Sequence, residues 1–143
     1  MKTTAIFTTR TTLNECSKGL EFVSNGDGTC SVSGIGTCTD TDIKIPSVYN
    51  GEKVKSIGQS AFEGCIGMKS ITIPDSVTSI GRSAFEGCIS LNNIIIPDSV
   101  KSIGNYAFEG CISLTNIVVP DSVKSIGQSA FHGCISLTKT LNC

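Results

Sequence analysis

Residues 54–76 read V-K-S-I-G-Q-S-A-F-E-G-C-I-G-M-K-S-I-T-I-P-D-S, and this block of 23 residues restarts at Val77, Val100 and Val123. The blocks that begin at Val77 and Val100 match at 17 of 23 positions. A fixed period of roughly 20–50 residues is typical of a solenoid, in which each repeat buries its apolar face only against its neighbours. The repeat therefore predicts an architecture, but it names no ligand.

One repeat contains the patterns of a short strand, a turn, a return and a single helical turn. Leu91–Ile96 ends in an alternating I-x-I pattern and is followed by a proline, as expected of a strand that stops there. Residues 97–99 (P-D-S) supply the turn, and Val100–Gly104 leads back toward the core with a glycine at its bend. Ala107–Cys111 predicts one helical turn with its phenylalanine directed inward.

The composition excludes several classes of protein. Charged residues make up 16% of the 143 residues and the net charge is −1, so we expect no nucleic-acid partner. No stretch approaches 18 consecutive apolar residues, so we expect no membrane insertion. Residues 1–18 lack the apolar core of about 7–15 residues that marks a signal peptide. We interpret them as a leader or flexible arm.

The eight cysteines fall into a repeated set and an unrepeated set. The repeated set is Cys65, Cys88, Cys111 and Cys134, and the unrepeated set is Cys16, Cys30, Cys38 and Cys143. Stacking of the repeats predicts that the first set forms an interior column, where a free thiol behaves as a small apolar group. In the second set, the most plausible disulfide joins Cys30 to Cys38 if the compartment is oxidising.

The two ends of the chain depart from the repeat. Residues 19–53 contain two apolar stretches joined by Asn25–Gly28, which predicts an N-terminal β-hairpin cap followed by a first strand. Residues 54–143 contain the 23-residue repeats, the last of which is degenerate because Thr140 and Asn142 stand at the positions of Ile94 and Ile96. An uncapped sheet edge invites pairing with another chain, which leaves self-association through the C-terminal coil open.

The phrase A-F-x-G-C-x-x-L-x-x-I-x-I-P-x-S-V-x-x-I-G, which begins at Ala61, Ala84 and Ala107, closely resembles the BspA-like leucine-rich repeat. The resemblance covers roughly residues 19–143. It implies an α/β repeat solenoid, a right-handed leucine-rich-repeat coil with a concave parallel β-sheet and short 3₁₀ or helical turns on the convex side. It also implies a surface or secreted protein that adheres to or recognises other macromolecules, with no catalytic residues carried over.

Two columns of outward-facing strand residues are the candidate binding face, because solenoids usually bind through the concave sheet. One column is Thr72, Ile95, Val118 and Leu141, and the other is Ser70, Asn93, Asn116 and Lys139. Exposed aliphatic side chains beside amides suit a protein partner, although strand propensity alone also favours β-branched residues here. The columns contain no aromatic residue, which disfavours stacking on sugars or single-stranded nucleic acid.

Nothing in the sequence indicates a catalytic or metal site. The single histidine, His132, is expected on an exposed column of glutamates while Cys134 points inward, so the two are not expected to pair as base and nucleophile. The P-D-S turns provide one carboxylate per repeat, which is too few for a calcium ladder. Gly34–Gly36 lacks the rest of a dinucleotide-binding motif. We expect no catalytic residues, no metal and no cofactor.

The sequence therefore favours a non-enzymatic protein-binding module that serves surface adhesion or recognition through the concave sheet, at the cell surface or secreted. An intracellular, cytoplasmic scaffold with reduced cysteines and a self-assembling structural repeat protein are the open alternatives. Adhesion predicts an export signal in the full reading frame, the scaffold predicts free thiols, and self-assembly predicts a mass that depends on concentration.

Overall fold

The computed structural model describes residues 16–137 and 139–141, in which the strands belong to two sheets. The strands are β1 (Glu21–Ser24), β2 (Thr29–Gly34), β3 (Asp42–Lys44), β4 (Val48–Tyr49), β5 (Glu52–Ile57), β6 (Ser70–Thr72), β7 (Ser79–Ile80), β8 (Asn93–Ile95), β9 (Ser102–Ile103), β10 (Asn116–Val118), β11 (Ser125–Ile126) and β12 (Lys139–Leu141). From residue 54 onward, each repeat adds one strand to each sheet, as a solenoid requires.

The concave sheet contains five parallel strands in the order β12-β10-β8-β6-β3. Its central residues pair in register and are buried in the core: Ile43, Ile71, Ile94 and Ile117. Because successive side chains of a strand point to opposite faces, the residues on either side of each isoleucine face outward. The structure confirms the predicted parallel sheet of a leucine-rich-repeat solenoid.

A second sheet, which the sequence reading did not foresee, runs along the return segments in the order β1-β2-β5-β7-β9-β11, with β4 paired to β5. The returns after β5 each contribute only a Ser-Ile pair, such as Ser102–Ile103 beside Ser79–Ile80. Two residues are too short to show alternation in sequence. Their pairing becomes possible because the coils before and after follow the same path.

The segments predicted as 3₁₀ or helical turns form no helix within the described residues. The amide of Phe62 donates to the Ala84 carbonyl of the next coil at 2.8 Å, while the neighbouring amide of Glu63 donates to Ser60 at 3.2 Å. The next two coils repeat this alternation. A helix needs successive amides to bond along their own chain, so the bonds to the next coil replace the helical turn.

The convex side of the core is a stack of four phenylalanine rings. Adjacent ring centroids are 5.5, 5.1 and 5.3 Å apart along Phe62, Phe85, Phe108 and Phe131. The first three rings are fully buried. Nearly parallel planes at this spacing indicate offset stacking, which contributes beyond the burial of area.

Glycine recurs where successive coils approach each other most closely. A Cβ at Gly104 would lie 2.6 Å from the backbone nitrogen of Arg82 and 2.7 Å from the carbonyl carbon of Gly81. The amide of Gly104 also donates to the Ile80 carbonyl at 2.8 Å. The hydrogen bond from Gly104 to Ile80 therefore requires a residue without a Cβ at position 104.

The predicted hairpin cap is present as β1 and β2, and β2 continues the second sheet by pairing in parallel with β5. A further hairpin, β4–β5, follows the first strand of the concave sheet. Its turn is Asn50-Gly51, with φ values of 50° and 80°, as a two-residue hairpin turn requires. The rings of Phe22 and Tyr49 stack at 3.9 Å and join the two hairpins.

The expected disulfide between Cys30 and Cys38 is not formed, and both are free thiols. Cys30 is buried on β2 with its sulfur 3.8 Å from the Glu52 carbonyl. Cys38 lies on the following loop beside Cys65. The two cysteines are near in sequence but have different neighbours, because Cys30 lies on the cap strand β2 and Cys38 lies on the loop that lines a cavity with Cys65.

Replacing Phe108 with alanine is expected to lower the free energy of unfolding by about 3–5 kcal/mol, because it removes a buried ring that stacks on two others. Ile66, which is 63% exposed, provides the control. We expect Ile66→Ala to cost less than about 1 kcal/mol. Chemical denaturation measures both, and a loss below about 1 kcal/mol for Phe108→Ala would contradict its role in the core.

Replacing Gly104 with alanine is expected to cost about 1–3 kcal/mol, because the added methyl group pushes two coils apart. Gly67→Ala is the matched control, since a Cβ there meets no atom within 4 Å. We expect that control to remain within about 1 kcal/mol of the parent protein. Equal stability of the two variants in urea would show that close approach does not constrain Gly104.

Candidate functional site

The strand register brings together the eight residues predicted as the binding face. Across β6, β8, β10 and β12, one column is Ser70, Asn93, Asn116 and Lys139, and the other is Thr72, Ile95, Val118 and Leu141. Parallel pairing without a register shift places like positions of successive repeats side by side. The predicted arrangement is therefore present, while binding by these residues remains a prediction.

Both columns continue onto β3, which the sequence reading left out of the face. Asp42 pairs with Ser70 and Lys44 pairs with Thr72. The Ser70 hydroxyl donates to an Asp42 carboxylate oxygen at 2.8 Å. These two strands are 28 residues apart rather than 23, because the β4–β5 hairpin intervenes. The shared pattern of alternation ending in proline was the signal that could have found them.

The apolar part of the face is concentrated on two adjacent strands. Ile95 is 78% exposed and Val118 is 63% exposed, although they lie beside each other in the sheet. Their neighbours Asn93 and Asn116 are also exposed, and the described residues offer no hydrogen-bond partner to either side-chain amide. The face therefore combines a continuous aliphatic strip with amides that are able to bond to a partner.

A shallow groove of about 480 Å³ runs over β6 and β8 beside this strip. Thr72, Ile95 and the exposed turn residues Asp75 and Asp98 are among the residues that line it. Asp121 occupies the equivalent exposed turn position after β10, so a carboxylate follows each of three successive strands of this sheet. The sequence alone predicts only a turn role for these aspartates.

The thiol pKa values differ along the column of repeated cysteines, which are Cys65, Cys88, Cys111 and Cys134. Burial raises the pKa of the Cys88 thiol to about 12. At the C-terminal end, the interaction of Cys111 with the neighbouring Cys134 raises the pKa of Cys111 and lowers that of Cys134. The Cys134 thiol donates to the Phe108 carbonyl at 3.1 Å.

The histidine lies apart from this thiol chemistry. The Nδ1 atom of His132 lies 3.1 Å from Oε2 of Glu109, and the ring is largely exposed. Within residues 16–137 and 139–141, no group of three or more His, Cys, Asp or Glu residues is arranged to hold a metal ion. The same described ranges contain no helix of the length and apolarity needed to cross a bilayer.

Comparison with known proteins agrees with the geometry. Six copies of the BspA type leucine rich repeat match residues 36–142. The chain belongs to the BspA-type leucine-rich-repeat family. No curated protein matches it. Leucine-rich-repeat domains generally mediate interactions between proteins, and this chain is a repeat module of that family.

Solved leucine-rich-repeat structures from bacteria share the fold. A leucine-rich repeat protein from Bacteroides capillosus has a TM-score of 0.78 and 30% identity, over 87% of this chain and 95% of that one. A leucine rich repeat protein from T. pallidum has a TM-score of 0.70 and 26% identity, over 86% of this chain and 68% of that one. A leucine rich cell surface protein from Faecalibacterium prausnitzii has a TM-score of 0.64 and 26% identity, over 89% and 39%.

Proposed function

We propose that this BspA-type repeat domain is a non-enzymatic module that binds another protein through its concave sheet, in adhesion or recognition at the cell surface. The observation that carries the proposal is the adjacent exposure of Ile95 and Val118, at 78% and 63%, beside the exposed asparagines Asn93 and Asn116. The similar protein described as a leucine rich cell surface protein supports the location.

The size of the strip limits what apolar contact alone contributes. Complete burial of Ile95 and Val118 contributes about 1.5–3 kcal/mol each. A dissociation constant of 1 µM corresponds to about 8.2 kcal/mol, and association also costs translational and rotational freedom. The amides of Asn93 and Asn116 and the carboxylates that line the groove must therefore contribute to affinity, and they also select the partner.

These polar groups define the chemistry of the partner. An aliphatic segment that carries lysine or arginine would place its apolar side chains on Ile95 and Val118 and its charges near Asp75 and Asp98. The asparagine amides are able to donate to and accept from the partner's backbone. The same carboxylates oppose a polyanion, so nucleic acid is not the expected partner.

The proposal is tested by immobilising the chain beside an Ile95→Arg/Val118→Arg variant and exposing both to extracellular-matrix proteins and a cell-surface protein fraction. We expect the variant to lose bound protein by at least tenfold, because two charges replace the aliphatic strip. Ile66→Arg/Ile89→Arg is the matched control, since it makes the same chemical change at exposed isoleucines outside the sheet. Equal binding by all three folded proteins would exclude the concave strip.

The end of the last coil favours self-association as a second function. Val123, Ile126 and Phe131 occupy positions that are buried in earlier coils, but here they are partly or largely exposed. Ile126 is 49% exposed, whereas its counterpart Ile103 is 2% exposed. A second copy that packs its last coil against this one would cover the same kind of surface that successive coils cover. Tail-to-tail packing is favoured because the hairpin cap covers the other end.

Sedimentation over a range of protein concentrations tests self-association. We expect a monomer–dimer equilibrium whose dissociation constant rises at least tenfold in Ile126→Lys, since the lysine would be buried at the contact. Ile66→Lys adds the same charge away from the end of the coil and is expected to leave the equilibrium unchanged. A constant monomer mass, or equal dimerisation of both variants, would rule out this contact.

A further inference from the structure

Three of the four repeated cysteines make the same hydrogen bond to the backbone, and the first, Cys65, does not. In each later coil, the cysteine thiol donates to a phenylalanine carbonyl of the coil before it at 3.1 Å. The pairs are Cys88 with Phe62, Cys111 with Phe85, and Cys134 with Phe108. This bond holds each thiol in one position and occupies its hydrogen.

Cys65 lies in the first full coil, and the segment before it is the cap loop 35–41, which has no phenylalanine. Its thiol has no hydrogen-bond acceptor among the described residues. The neighbouring group is instead the thiol of Cys38. Both cysteines line the same cavity, and burial, followed by the charge of Cys38, raises the pKa of Cys65.

The surroundings of Cys38 and Cys65 leave room for the side chains to move and for an oxidant to reach the sulfur atoms. Both cysteines are only partly buried, and both line a cavity of about 340 Å³ together with Ile35 and Met68. Cys38 lies on a loop between β2 and β3 rather than within a strand. The adjacent column cysteine, Cys88, is fully buried and bonded to a backbone carbonyl, so it is a poor competitor.

We propose that Cys38 and Cys65 form a disulfide in an oxidising environment, which links the N-terminal cap to the first full coil. A small-molecule disulfide such as oxidised glutathione is the oxidant. One protein thiolate attacks it, forms a mixed disulfide and releases one glutathione thiol. The second protein thiolate then displaces the other glutathione, so two protein thiols are oxidised while one glutathione disulfide is reduced to two thiols. This proposal does not depend on the identity of any protein partner.

The test uses the purified full chain in glutathione redox buffer, followed by thiol blocking and trypsin digestion without reductant. We expect a linked pair of peptides, 19–44 and 56–69, with a mass about 2 Da below the sum of the free peptides. We also expect a higher denaturation midpoint for the oxidised protein than for the reduced protein. The link is expected to disappear in Cys38→Ser and in Cys65→Ser.

Cys30 lies on the same peptide as Cys38, so Cys30→Ala is the control and is expected to keep the link. If that variant does not fold, fragmentation of the linked peptide from the parent protein assigns the sulfur atoms directly. A bond from Cys30 to either cysteine, glutathione adducts without a link, or no oxidation would each overturn the proposal.

Discussion

Backbone hydrogen bonding between successive coils is the constraint on which the rest of this structure depends. It acts on three sides of each coil: in the concave sheet, in the second sheet, and across the turns where Phe62 donates to Ala84. Each coil must therefore follow the path of the coil before it. The stacked phenylalanines and the glycine at Gly104 recur because this path leaves the same volume for the ring and no room for a Cβ.

The same constraint determines which residues are free to carry function. Inward positions such as Ile94 and Phe85 are fixed by the core, and Gly104 is fixed by the approach of its neighbours. The outward strand positions have no such restriction, so Thr72, Ile95 and Val118 differ although they pair in one column. A candidate site on this fold is consequently a set of aligned surface positions rather than a cleft between elements.

The sequence was sufficient to predict the concave sheet and its two columns, because the alternation ending in proline is local and repeats at one spacing. It could not separate the helical turn from the observed turns at Ala107–Cys111, since both place phenylalanine inward and differ only in whether amides bond within a coil or between coils. The second sheet was missed because Ser102–Ile103 becomes a strand only beside its neighbour. The hairpin at Asn50-Gly51 did have a recognisable turn signal.

The departures from the repeat are where this chain acquires individual chemistry. If every coil presented the same residues on the concave sheet, each coil would make the same weak contact with any partner, and the surface would discriminate poorly among partners. In the binding mode that we propose, selectivity on the concave side depends on what differs between coils, including Asp42 and Lys44 at the start of the columns. The cap illustrates the same argument for the interior: where the preceding phenylalanine is absent, Cys65 shares a cavity with Cys38, whereas Cys88 donates to a backbone carbonyl. The regular repeat thus explains why the coils stack stably. The disulfide and the partner selectivity that we propose both depend on positions where the repeat is interrupted.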